Sequence, residues 1–185
     1  IDGLDGLAVG MSAISAGTLF VISLGVETAT ANVSVLLLCV IGACVGFWPY
    51  NKHPAKIFMG DVGSQMLGFL LGTISIIGIF KMHSLVTMLV PFMAMAVPLA
   101  DTAYAFIRRI VKGQSPFHPD KGHFHHRLLA LGLTQSQAVY VMYGISLILG
   151  LLAFLMIGKN QRVKIVLLAV ALFIFLLVSA GHRTG

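Results

Sequence analysis

The sequence predicts an all-α, polytopic transmembrane helical bundle of about six spans, and three observations predict it. Hydrophobic residues make up 58% of the 185 and charged residues only 10%, against about 45–50% and about 25% in ordinary soluble domains. The mean hydropathy is +0.97, so charge is too scarce to clothe a water-soluble globule and far too scarce for a disordered chain. The apolar residues also fall into six stretches, each near the roughly 17–25 residues that a spanning helix needs. None of the six alternates with the period of two that marks a membrane β-strand. The length allows a single membrane domain over residues 1–185.

Taken in order, Leu7 to Val26 carries no charge and is long enough to span. Val33 to Trp48 is also uncharged and slightly short, and Val62 to Phe80 is the third stretch. Leu85 to Ile107 is the fourth, interrupted by Pro91, Pro98 and one acid, Asp101. Ala138 to Ile157 and Ile165 to Gly181 complete the six. The small-residue pairs Gly6/Gly10, Gly42/Gly46 and Gly68/Gly72 would let helices approach closely. Cys39 and Cys44, five apart, do not share a helix face and are expected to pack as inert apolar residues.

Six spans put residues 1–6, 49–61 and 108–137 on one side, together with the tail. That side holds Lys52, Lys56, Arg108, Arg109, Lys112, Lys121, Arg127 and Arg183; the other holds Lys81, Lys159, Arg162 and Lys164. The positive-inside rule makes the richer side cytoplasmic. Five of the six acids lie in or near that side, as do five histidines in its loops, which points to an active face toward cytosolic substrates. The opening residues lack the basic region of a signal peptide. Two acids set directly against an apolar run suggest a fragment of a longer chain.

Three polar clusters occupy the cytoplasmic segments. In Ile1-Asp2-Gly3-Leu4-Asp5-Gly6-Leu7-Ala8, two carboxylates three apart can share one face of a helical turn. Glycines beside them allow a ligand close to the backbone, and the bland reading is a pair of acids favouring a helix dipole. In Asn51-Lys52-His53-Pro54-Ala55-Lys56-Ile57-Phe58-Met59-Gly60-Asp61-Val62-Gly63-Ser64, Asp61 stands at the mouth of a span. It could take Mg²⁺ beside a diphosphate, or Asp61 or Ser64 could simply cap the helix. No Walker A loop occurs. The third cluster runs from Arg108-Arg109 and Lys112 through His118-Pro119-Asp120-Lys121-Gly122-His123-Phe124-His125-His126-Arg127. Its density of Arg, Lys and His suits phosphate groups, or acidic headgroups if it is only a juxtamembrane loop. Zinc on His123, His125 and His126 would lack the cysteines or second histidine box of a usual site. Asp101 inside the fourth stretch either has a function in the membrane or pairs with a cation near the helix end.

The segments Asp2 to Ala8 (D-G-L-D-G-L-A), Pro54 to Ser64 (P-A-K-I-F-M-G-D-V-G-S) and His118 to Leu128 (H-P-D-K-G-H-F-H-H-R-L) occur in this order. Together they resemble the polyprenyl-phosphate N-acetylhexosamine-1-phosphate transferases, polytopic enzymes that start cell-envelope glycans. Pro98 to Thr102 followed by Arg108-Arg109 also fits, so the resemblance covers nearly the whole chain. The branch that moves phospho-MurNAc-pentapeptide usually has three consecutive histidines in its last cytoplasmic loop. Here His123-Phe124-His125-His126 is similar instead to the branch that uses UDP-N-acetylglucosamine, which initiates teichoic acid, O-antigen or related polymers.

The resemblance implies that undecaprenyl phosphate attacks the β-phosphorus of UDP-GlcNAc and releases UMP at the cytoplasmic face of a bacterial plasma membrane. It implies Mg²⁺, with Mn²⁺ as an alternative, held by Asp61. Asp2 and Asp5, with Gly3 and Leu4, would border the uridine pocket and Phe58 would stack on uracil. His123, His125, His126 and Arg127 would hold phosphate or sugar, with Lys56 a weaker phosphate-side candidate. Partners would be the two substrates and the bilayer, with a homodimer allowed for and no nucleic acid. The family usually carries a paired aspartate in an earlier loop and asparagines just before D-G-L-D-G, with about four or five spans upstream. The 185 residues begin inside that motif, so alone they are expected to be inactive.

Other classes fit less well. A CDP-alcohol phosphotransferase needs D-G-x-x-A-R, but Asp5-Gly6-Leu7-Ala8 is one residue short and lacks the Arg. A di-iron desaturase needs several histidine boxes. A transporter would concentrate charge near the midplane on broken helices, where only Asp101 and Pro98 give a hint.

Overall fold

The structure is a computed structural model and describes residues 3–25, 31–79, 91–111, 128–156, 160, 162–163, 165–167 and 169–170. Its main helices are α1 (Leu7–Leu24), α2 (Ala31–Asn51), α3 (Gly60–Ile79), α4 (Ala96–Val111) and α5 (Gln135–Leu155). No strand occurs among the described residues. Among the described residues four helices, α1, α2, α3 over Gly60–Ile77, and α5, are long and apolar enough to cross a membrane. The fourth expected stretch is described only from Pro91. It is helical at 91–94, turns at Met95 and resumes as α4, with Pro98 in the first turn, where a missing N–H is tolerated. The expected sixth span lies largely outside the described residues.

The observed α2 is longer than its apolar run. It continues past Trp48 because the backbone ladder continues: the Lys52 N–H donates to the Trp48 carbonyl at 2.8 Å. Pro49 sits inside the last turn and costs one donor without ending the helix. At 21 residues, α2 extends about 31 Å, enough to cross a hydrocarbon core of about 30 Å. At the start of α5, Thr134 and Gln137 form a reciprocal capping box, with N···O distances of 2.9 and 3.3 Å.

The core is built around α1, which buries nine of its 18 residues, Leu7 to Met11, Ser15, Ala16, Leu19 and Ile22. It packs most extensively against α2 and α5 and less against α3. Gly6 meets Asn51 at one end and Ser23 meets Ser34 at the other, so α1 and α2 are antiparallel. Gly10 lies against Tyr143 and Thr18 against Gly150, so α1 and α5 are parallel. The starts of α1 and α5, the end of α2 and, after the short 52–59 loop, the start of α3 therefore gather at one end. The Ser15 hydroxyl donates to the Ala94 carbonyl at 3.1 Å and ties the 91–94 turn to α1.

The expected packing glycines divide unevenly. At Gly10 an added Cβ would stand 1.9 Å from the Tyr143 hydroxyl, so only glycine admits that ring. Gly42, Gly46, Gly68 and Gly72 would meet nothing within 4 Å. Among the described residues those four glycines therefore sit in no tight helix contact, although Gly68 lines a cavity of about 300 Å³ with Ala8, Met11 and Ser15 of α1. Cys44 is buried and Cys39 exposed, both free thiols, as expected for residues on different faces.

Candidate functional site

At the gathered end, the loop Gly3-Leu4-Asp5-Gly6 meets the end of α2 and the 52–59 loop. Gly6 opens α1 with φ 79°, a left-handed backbone open to glycine at no steric cost. Both of its peptide groups are held by side chains from other helices. Its N–H donates to Asn51 Oδ1 at 3.2 Å, and its carbonyl accepts from the Tyr143 hydroxyl. That hydroxyl also accepts from Trp48 Nε1 at 3.3 Å. Asn51, 3% exposed, turns its amide nitrogen to the Ile57 carbonyl at 2.9 Å. One buried amide thus joins the first loop to the second, which satisfies backbone groups that would otherwise be costly to bury.

Asp5 is fixed from the same side. Its Oδ2 lies 2.8 Å from His53 Nδ1 and accepts the Ala55 N–H at 3.2 Å. The 52–59 loop is folded back on α2 by the Lys56 and Ile57 N–H groups, which share the Tyr50 carbonyl at 2.8 and 3.1 Å. Lys52 places its ammonium 5.3 Å from the Trp48 ring centroid, a cation–π distance.

A cavity of about 150 Å³ opens between these loops, lined by Gly3, Leu4, Asp5, Asn51, Phe58 and Met59. It is small beside the roughly 300–1,000 Å³ of ordinary ligand pockets, so it suits one ring rather than a whole extended ligand. Phe58 is 75% exposed, which leaves its ring free to stack. Asp61 is exposed in the first turn of α3, and its carboxylate has no partner among the described residues. The Ser64 hydroxyl donates to the Asp61 carbonyl at 3.1 Å. Ser64 is thus a back-bonded helix residue rather than the cap that its position suggested.

The structure brings together four expected site residues, Gly3, Leu4, Asp5 and Phe58, and sets Asp61 three residues beyond Phe58. Lys56 is exposed on the same loop but does not line the cavity. Asp2, His123, His125, His126 and Arg127 lie outside the described residues. Asp101 is buried in α4 at 6% exposure. No cluster of three or more metal-ligating side chains occurs among the described residues. Asn51, Met59 and Tyr143 received no role from the sequence. The available signal was physical: an amide and a phenol beside or within apolar spans must find partners when buried.

Residues 1–79 match the family model for glycosyl transferase family 4. Across all 185 residues the chain is 39% identical to a probable undecaprenyl-phosphate N-acetylglucosaminyl 1-phosphate transferase of Bacillus subtilis, covering 51% of it. The chain belongs to glycosyl transferase family 4. It is also 39% identical over 171 residues to a decaprenyl-phosphate N-acetylglucosaminephosphotransferase of Mycolicibacterium smegmatis, a match covering 83% of the chain and 41% of that relative. A phospho-N-acetylmuramoyl-pentapeptide-transferase of Enterococcus faecalis is 53% identical over 76 residues, 41% of the chain and 23% of the relative. The chain spans about half the length of the curated relatives it matches.

Proposed function

We propose that the chain is the nucleotide-sugar-binding part of an enzyme that transfers N-acetylglucosamine-1-phosphate from UDP-GlcNAc to undecaprenyl phosphate. A phosphate oxygen of the lipid would form the new P–O bond at the β-phosphorus, the bond to the UMP oxygen would break, and UMP would leave. The observation that carries this reading is the cavity itself. Two motifs some fifty residues apart meet there, and a carboxylate, a buried amide and an exposed aromatic ring line it. Phe58 offers a face to the uracil ring, while Asp5 and Asn51 supply polar edges beside it. The similarity to N-acetylglucosamine-phosphate transferases over the whole chain supports the sugar. The 53% identity to a phospho-N-acetylmuramoyl-pentapeptide-transferase is confined to 76 residues. That second substrate remains the alternative, and the N-acetylglucosamine reading is favoured because the similarity along most or all of the chain is higher to those transferases.

Asp61 would hold Mg²⁺, or Mn²⁺ in its place. The fit is chemical: a carboxylate with no partner and no cage of ligands among the described residues suits an ion that takes one or two carboxylates plus substrate phosphates and water. When bound, the ion would neutralise diphosphate charge. Asp2 would add a second acid beside Asp5. His123, His125, His126 and Arg127 would hold phosphate or sugar, with Lys56 at the phosphate side. The site would face the cytoplasm of a bacterial plasma membrane, the side favoured by the basic loops.

The test is transfer by membranes carrying the protein from its complete reading frame, supplied with labelled UDP-GlcNAc. Label should enter the lipid fraction with release of UMP, and Asp61→Asn should lower the rate by about 10²–10³, the scale of losing one electrostatic stabiliser. Turnover in that variant at the wild-type rate would remove the metal assignment. Lipid product formed only from UDP-MurNAc-pentapeptide would establish the alternative substrate, and no lipid product from either would overturn the transferase reading.

A further inference from the structure

The Asp5 carboxylate is gripped at one oxygen only. Oδ2 accepts from His53 and from the Ala55 N–H, at 2.8 and 3.2 Å, while Oδ1 has no partner among the described residues. The two donors flank Pro54, which has no N–H of its own, so the loop presents a side-chain donor and a backbone donor to the same atom. An ionised carboxylate can only accept, so toward an ionised Asp5 the ring would donate from Nδ1. Two lysines, Lys52 and Lys56, are nearby in sequence. Lys52 lies over the Trp48 ring, Lys56 is exposed, and neither pairs with Asp5 among the described residues. His53 is itself 42% exposed, whereas the Asp5 side chain is 19% exposed. The imidazole therefore fills no core space, and its one specific contact among the described residues is with a residue lining the cavity.

We propose that His53 is a positioning residue for the nucleotide: it fixes Asp5 through Oδ2 so that Oδ1 faces the cavity already oriented. This role rests on the transferase reading above. A free aspartate would populate several rotamers and lose that freedom on binding, so pre-orientation should appear in affinity rather than in the chemical step. The role also depends on which ring nitrogen is used. The amide nitrogen of asparagine can stand where Nδ1 stands, whereas that of glutamine reaches to the place of Nε2.

The experiment uses the full-length protein in detergent, with UMP binding measured by calorimetry and KM and kcat for UDP-GlcNAc measured alongside. His53→Ala should weaken UMP binding and raise KM by about tenfold with kcat within about twofold, the scale of one charge-assisted hydrogen bond. His53→Asn should restore both to within about threefold, and His53→Gln should not. In an Asp5→Asn background, His53→Ala should add little further loss of UMP binding, because the histidine acts through Asp5. Wild-type UMP affinity in His53→Ala, equal rescue by Gln and Asn, or a loss seen only in kcat would overturn the positioning role while leaving the transferase reading intact. A wild-type protein that binds neither UMP nor UDP-GlcNAc would overturn both.

Discussion

The loop end of the bundle and the α1–α5 interface are held by opposite means. At the loop end, polar side chains reach across to named backbone groups: Asn51 to Gly6 and Ile57, and Tyr143 to Gly6. Along α1 and α5, contact depends on side chains being small, Gly10 under the Tyr143 ring and Gly150 beside Thr18. Inside a membrane the lipid is as apolar as the core, so close approach and interhelical hydrogen bonds must do what exclusion of water does elsewhere. The fold and the site are therefore separable in principle and joined at Tyr143. Its ring needs the small residue, and its hydroxyl holds the loop.

The largest expected effect separates the two. Gly10→Leu would drive Cβ and its branches into the Tyr143 ring, since the Cβ alone would stand 1.9 Å from the hydroxyl. Overpacking of this kind costs about 1–3 kcal/mol or more, and α1 would have to move away from α5. Thermal stability in detergent and transfer activity should fall together. Combining Gly10→Ala with Tyr143→Ala restores space while removing the hydroxyl. That double variant should regain most of the stability lost in Gly10→Ala alone but not the nucleotide affinity. Recovery of both would show that the loop does not depend on the phenol.

The next effect tests the loop end alone. Asn51→Ala leaves the Gly6 N–H and the Ile57 carbonyl without their side-chain partners in a buried place. Buried unpaired groups cost about 1–3 kcal/mol each, so UMP affinity should fall by more than about tenfold and stability should drop measurably. The packing of α1 on α5 should survive, so the thermal midpoint should fall less than in Gly10→Leu. A fall as large as that of Gly10→Leu would mean that the two regions are not separable.

What was legible in the sequence follows the same division. Apolar length alone marked α1, α2, α3 and α5, because a spanning helix must satisfy its backbone within itself whatever its neighbours. Gly3, Leu4, Asp5 and Phe58 were readable because they stand in contiguous motifs, and they do line one cavity. Helix partners were not legible: three glycine pairs look alike in sequence, but among the described residues only at Gly6 and Gly10 of these would an added Cβ meet a neighbour within 4 Å. Nor could local sequence show Asn51, His53 or Tyr143 at work. Their partners lie 45, 48 and 137 residues away, and such pairings are set by which helix faces meet. Ser64 shows the converse, a residue that local position marks as a cap but that bonds back within its own helix.

The smallest effect belongs to the atom at which the two regions join. Tyr143→Phe keeps the ring over Gly10 and deletes only the hydroxyl, so the α1–α5 packing has no reason to change. The Gly6 carbonyl would lose a donor and Trp48 Nε1 an acceptor. A net hydrogen bond is worth about 0.5–1.5 kcal/mol, and the Gly6 N–H would still be held by Asn51, so the loop would loosen without detaching. UMP affinity should fall by about threefold to fivefold with little change in thermal midpoint. An unchanged affinity would place the hold on the loop entirely in Asn51. A loss as large as that of Asn51→Ala would instead make the phenol and the amide a single cooperative clamp, since removing either half would release both peptide groups of Gly6.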